Sequence, residues 1–153
     1  MKKILLIEDD EEKSSVISDL LRTDYSEYEI DIARSLNGGL RSIVKGQGIY
    51  KLILLDMSMP NYDVSFEEPG GGKPESFAGE DILAQMKLRG IEIPTIVVTM
   101  FGSFGEGPSS MSIEGLTERL EQGFSPTYRG LVYYNVAQEG WRSSLREIIS
   151  TIL

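Results

Sequence analysis

Three stretches of this chain end an apolar run on an oxygen-bearing side chain. Ile4–Ile7 leads into Glu8-Asp9-Asp10-Glu11-Glu12, Leu52–Leu55 leads into Asp56, and PTIVVT at 94–99 closes on Thr99. The chain contains no histidine and no cysteine, which removes imidazole bases, Ser-His triads, thiolate ligands and disulfides. Chemistry here must therefore rest on carboxylates, hydroxyls and backbone groups, a donor set that suits a hard cation such as Mg2+. Each stretch also has a plainer reading. The acidic run could be a solvated helix start favoured by the helix dipole, Asp56 a turn residue before Pro60, and Thr99 an ordinary strand residue. Coincidence at three strand ends favours a site. Two carboxylates about 4 Å apart repel by roughly 4 kcal/mol at an effective dielectric of 20. A cluster of three needs a cation, a proton or a donor beside it.

The elements that must position these groups follow from periodicity. Ile4–Ile7 is continuously apolar, as a strand covered on both faces should be. Residues 11–23 carry Val16, Ile17, Leu20 and Leu21 at helical spacing, and Tyr28–Ala33 alternates like a strand nearer the edge. Ser35 is a plausible N-cap for a second helix carrying Leu36, Leu40, Ile43 and Val44, which Gly46 can end. Leu52–Leu55 is a third strand, and Ile82, Leu83, Met86 and Leu88 mark a third helix ending at Gly90. Pro94–Thr99 is a fourth strand, with its proline at the tolerated first position. Ile113, Leu116 and Leu120 predict a fourth helix stopped by Gly123, Leu131–Tyr134 a fifth strand, and Trp141 to Ile152 the stripe of a closing helix. Strands alternating with helices in this way predict a parallel α/β sheet with right-handed crossovers. Its strand ends would share one rim.

Two loops interrupt that rhythm. Residues 61–78 are long and rich in Gly, Pro and Glu, and residues 101–110 form a second Gly-rich loop. Both leave carboxyl ends of strands, the edge at which open α/β sheets bind ligands.

The length of 153 residues, with 41% apolar and 25% charged residues, suits one globular domain with a real core. No apolar run approaches the roughly 18 residues of a membrane span, and the start of the chain is unlike a signal peptide. A net charge of −9 argues against direct nucleic-acid binding. The absence of cysteine suits a reducing cytoplasm.

The stretches ILLIEDD at 4–10, LILLDMSMPNYD at 52–63 and TIVVT at 95–99, set in this strand–helix order, resemble the receiver domain of two-component response regulators. The resemblance covers nearly the whole chain. It implies a flavodoxin-like three-layer α/β sandwich whose five-stranded parallel sheet has the order 2-1-3-4-5, with five helices. It also implies one receiver-like domain over 1–153, with an inserted loop at about 64–78. By position, Asp9 would bind Mg2+ directly and Glu8 largely through water, and a shift of one residue would bring in Asp10. Asp56 matches the phosphoacceptor and a metal ligand, and the backbone carbonyl of Ser58 would be a further ligand. Thr99 matches the hydroxyl that bonds the phosphoryl group, and Tyr133 or Tyr134 the aromatic that reports the switch state.

The chain also departs from that family. No lysine follows Lys87, and Tyr134, with Asn135 beside it, falls where the family carries a lysine after its last strand. A charge-assisted hydrogen bond of about 1.5–3 kcal/mol is thus expected to be missing from a phosphorylated state. Met100 stands where the family keeps a small residue. GGGK at 70–73 fits a phosphate-binding loop poorly, because that pattern would put its first glycine on Glu67 and Pro74 follows the lysine. Lys73 is nonetheless a candidate to swing over Asp56.

The leading expectation is a receiver-type signalling module that binds Mg2+, accepts a phosphoryl group on Asp56 and switches a protein-binding surface. Its partners would be a histidine kinase or other phosphodonor protein and a downstream protein, with no nucleic acid and no membrane; a homodimer is allowed. The alternative is a degenerate receiver that binds its partner independently of phosphorylation. A Mg2+-dependent hydrolase acting through Asp56 is a third reading. It is weakened by Ser58, where Asp-nucleophile phosphatases place a second aspartate. In the two receiver readings the chain is no enzyme beyond self-phosphorylation from a phosphodonor and autodephosphorylation, and it is cytoplasmic.

Overall fold

Alternate residues along the central strands point to opposite sides of the sheet, and each set meets its own layer of helices. This is seen in a computed structural model that describes residues 2–59, 77–100, 103–104, 111–135 and 137–153. Its elements are β1 (Lys3–Ile7), α1 (Glu11–Asp24), β2 (Glu29–Ala33), α2 (Leu36–Lys45), β3 (Tyr50–Leu55) and α3 (Ala78–Leu88). They continue with β4 (Thr95–Thr99), β5 (Ser103–Phe104), β6 (Met111–Ser112), α4 (Ile113–Phe124), β7 (Tyr128–Tyr133) and α5 (Gly140–Ser150).

Five parallel strands form one sheet in the order β2-β1-β3-β4-β7. Counting only the strands of this sheet, the order is 2-1-3-4-5, and the fold is flavodoxin-like. On one side, Leu5, Ile7, Ile53, Leu55 and Val97 pack against α2, α3 and α4 through Ile43, Ile82, Leu83, Met86, Leu116 and Leu120. On the other, Ile4, Leu6, Leu52, Leu54, Ile96 and Val98 meet α1 and α5 through Ile17, Leu21, Trp141, Leu145 and Ile149. That double coverage is why β1 and the apolar run of β3 are unbroken aliphatic stretches. Truncating one of their buried leucines to alanine should cost about 2–5 kcal/mol.

The capping residues read from the sequence act as such. Ser35 accepts from the Gly38 N–H, and Gly46 closes α2 with its N–H on the Ser42 carbonyl. Gly90, just past α3, has a φ of 70°, a conformation glycine adopts without strain. Gly123 does not stop α4, which continues to Phe124 and ends at Ser125 before Pro126. The proline is the stronger signal, since its ring drives the preceding residue out of the helical region, and Ser125 is extended. Ser103–Phe104 and Met111–Ser112 form a short antiparallel pair that the loop composition did not suggest. The greater part of the predicted 61–78 loop, the GGGK stretch, Lys73 and most of the 101–110 loop lie outside the described residues.

Candidate functional site

β1 is flanked by β2 on one side and β3 on the other, so the chain direction across the sheet reverses beside it. Such a switch point opens a crevice at the carboxyl ends of the strands. Ile7 is in register with Leu55. The next residue on each strand is therefore an acid facing the same crevice, Glu8 after β1 and Asp56 after β3. The backbone fixes both: the Glu8 N–H donates to the Ala33 carbonyl at 2.9 Å and the Asp56 N–H to the Ile7 carbonyl at 3.0 Å. Asp56 is only 3% exposed.

Glu8, Asp9 and Asp56 each bring a carboxylate oxygen within 4.8 Å of the others. Asp10 does not join them. It is the N-cap of α1, and its Oδ1 accepts the Lys13 N–H at 2.9 Å. The predicted one-residue shift of the acidic pair thus meets a carboxylate already used to close a helix end. Ser58, itself half-buried, lies two residues beyond Asp56 between the buried Met57 and Met59, and Thr99 is fully buried as the last residue of β4. Tyr134 is tied to that strand end, its N–H donating to the Thr99 carbonyl at 2.8 Å. Tyr133 and Tyr134 face opposite ways, 45% and 4% exposed.

The sequence analysis missed a residue at the centre of this pocket. Lys13, 1% exposed, places its Nζ 2.6 Å from Glu8 Oε1 and 3.3 Å from Asp56 Oδ1. The same ammonium donates to the Val98 carbonyl of β4 at 2.8 Å. The Tyr134 position still carries no lysine; a cation not singled out from the sequence reaches the pocket from the first turn of α1. A signal for it existed. Lys13, Ile17 and Leu20–Leu21 fall at helical spacing, so a lysine occupies the apolar stripe of α1.

Even with Lys13 the carboxylates outnumber the cation. Burial and then the Asp56 charge push the Glu8 carboxyl up to about 8, against the opposing pull of Lys13. The Asp9 carboxyl is raised by the same two causes in the same order.

Asp56 is supported from behind as well. Its Oδ1 accepts the Met57 N–H at 2.8 Å, and the Gly79 N–H at the start of α3 donates to the Met57 carbonyl at 3.0 Å. A Cβ on Gly79 would lie 2.6 Å from the Asp56 carbonyl oxygen, so α3 can approach this turn only through glycine.

No protein-family model matches the chain. It is 29% identical over 150 residues to the Detocs response regulatory protein DtcB of Enterobacter cloacae (strain JD6301), covering 98% of this chain and 99% of that protein. Among solved structures it resembles the CheY-like receiver domain from Methanospirillum hungatei JF-1, with a TM-score of 0.61 and 21% identity over 99% of this chain and 94% of that one. It also resembles the response regulator TrrA from Thermotoga maritima in complex with Mg2+ and BeF, with a TM-score of 0.54 and 18% identity over 97% of this chain and 99% of that one. The chain has the fold of response-regulator receiver domains and resembles a response regulatory protein along its whole length.

Proposed function

We propose that this receiver-like chain is a signalling module in which Asp56 accepts a phosphoryl group beside a Mg2+ ion. The observation that carries the reading is the convergence of Glu8, Asp9 and Asp56 oxygens at the switch point of the sheet. A donor set made only of carboxylate oxygens fits a hard divalent cation, and Glu8, Asp9 and Asp56 would hold it, with the Ser58 carbonyl as a further ligand. Bound there, Mg2+ supplies charge neutralisation for the phosphoryl oxygens.

The chain's own residues supply the rest. Oδ1 of Asp56 is engaged by the Met57 N–H and Lys13, which presents Oδ2 as the nucleophile. Oδ2 forms a bond to phosphorus while the bond from phosphorus to the donor's leaving oxygen breaks, its electron pair departing with the leaving group. Thr99, at the neighbouring strand end, then bonds the new group. Its link to the Tyr134 backbone carries the change to the α4–β7–α5 surface, where a downstream protein would bind. The donor would be a histidine kinase or another phosphodonor protein, and both partners would meet the chain in the cytoplasm. Catalysis is limited to self-phosphorylation and loss of the phosphoryl group.

A second reading, a phosphorylation-independent binding module, is favoured by one observation: Lys13 already compensates Glu8 and Asp56 internally. One experiment separates the two. The protein is incubated with Mg2+ and acetyl phosphate, and its intact mass is measured. One phosphoryl adduct, absent in Asp56→Asn, supports the first reading; no adduct supports the second.

A further inference from the structure

Resting on the receiver reading, we propose that Lys13 is the phosphoryl-pairing cation of this pocket, delivered from the first turn of α1 rather than from the position of Tyr134 after the last strand. A lysine side chain buried to 1% exposure is expensive to desolvate, and an apolar residue would fill the stripe beside Ile17 at no such cost. Its position needs an explanation beyond packing. Two acids and the Val98 carbonyl fix the ammonium. The carbonyl anchor comes from β4 and remains in place whatever happens to the charge on Asp56.

When an acyl phosphate donor transfers its group, Asp56 Oδ2 bonds to phosphorus and the carboxylate leaving group departs with the electron pair of the broken P–O bond. A carboxylate of one negative charge thereby becomes an acyl phosphate carrying about two. An ammonium already 3.3 Å from Asp56 Oδ1 is in place to pair with the added charge. At the other candidate position the side chain is the aromatic ring of Tyr134, with the Lys13 Nζ 5.8 Å from its centre. The cation and the aromatic share one corner of the site. Lysine from α1 and tyrosine after β7 fit there together; two lysines would repel.

The test measures two affinities on the full chain, for Mg2+ alone and for beryllofluoride with Mg2+, in wild type, Lys13→Met and Lys13→Arg. In Lys13→Met, beryllofluoride affinity is expected to fall about ten-fold or more, while Mg2+ affinity stays the same or rises because a neighbouring positive charge is gone. Lys13→Arg should recover part of the beryllofluoride affinity. Loss of a purely structural lysine would not lower the beryllofluoride affinity while sparing that for Mg2+. Unchanged beryllofluoride affinity in Lys13→Met, or a parallel loss of both, overturns the proposal. If Lys13→Met does not fold, Lys13→Gln, which keeps an N–H donor for Glu8 and the Val98 carbonyl without the charge, takes its place, and a beryllofluoride affinity equal to wild type in that variant overturns the proposal likewise. Wild-type protein that takes up neither beryllofluoride nor a phosphoryl group overturns the receiver reading itself, and this proposal with it.

Discussion

The ammonium of Lys13 lies 5.8 Å from the centre of the Tyr134 ring, joining the first helix to the segment that follows the last strand. A cation at that distance is attracted by the ring face. Tyr134 in turn packs on Trp141, the ring centres 4.8 Å apart. The acidic pocket is thus connected to α5 through one lysine and two aromatic rings.

That connection gives a spectroscopic handle, because Trp141 is the only tryptophan of the chain. Mg2+ bound at the proposed site would redistribute the charge around Lys13, and its addition is expected to change Trp141 emission. Tyr134→Leu should leave Mg2+ binding, followed by calorimetry, within about two-fold while removing most of the emission change. An undiminished response in that variant would show that the signal takes another route.

Asp56→Asn removes one of three crowded carboxylates and keeps an oxygen for the Met57 N–H. Without Mg2+ the variant is expected to melt at or above the wild-type temperature, since a repulsion is lost. Its Mg2+ affinity should fall at least the roughly ten-fold that loss of a mere outer-sphere partner costs. Thermal melts with and without Mg2+ check both. A variant that is less stable without metal and equally stabilised by it would place the ion elsewhere.

Stability should also depend on pH through Glu8. Its carboxyl is held up at about 8 against an ordinary 4.5, so the folded state binds this proton more tightly than the unfolded chain does. The stabilising effect is full below about 4.5 and is lost as pH rises through about 8. Urea unfolding of the metal-free protein across that window is expected to show falling stability toward the alkaline end, flattened in Glu8→Gln. Saturating Mg2+ should oppose the fall, because metal ligation favours the deprotonated acid. A wild-type profile that rises with pH would contradict this assignment.

Gly79→Ala tests the support behind Asp56. The added methyl would lie 2.6 Å from the Asp56 carbonyl oxygen and 3.0 Å from the Met57 Cα, both backbone atoms that cannot swing aside. Destabilisation by about 1–3 kcal/mol is expected, together with weaker Mg2+ binding as the Asp56 turn is displaced. Full stability in chemical denaturation would mean that α3 is free to slide.

Much of this architecture could be read along the chain. The unbroken runs of β1 and β3, the helical stripes of α1 and α5, and the caps at Ser35 and Gly46 are local patterns, set by strand and helix periodicity and by short-range hydrogen bonds. The acidic run from Glu8 to Glu12 and Asp56 could be singled out because each follows a buried strand and parallel strands share one rim; the family resemblance narrowed the run to Glu8 and Asp9. The same reasoning overestimated Gly123, where the constraint from Pro126 was stronger.

What the linear order could not settle was which cation compensates those acids. A search confined to the end of the last strand finds Tyr134 and no lysine. Lys13 enters the pocket only because α1 packs across the sheet and brings its ammonium to the Val98 carbonyl, 85 residues away in sequence. Residue type and spacing determined where negative charge would accumulate. Its balance depends on contacts at a few ångströms between distant segments, and those exist only once the helix has docked and water has been excluded.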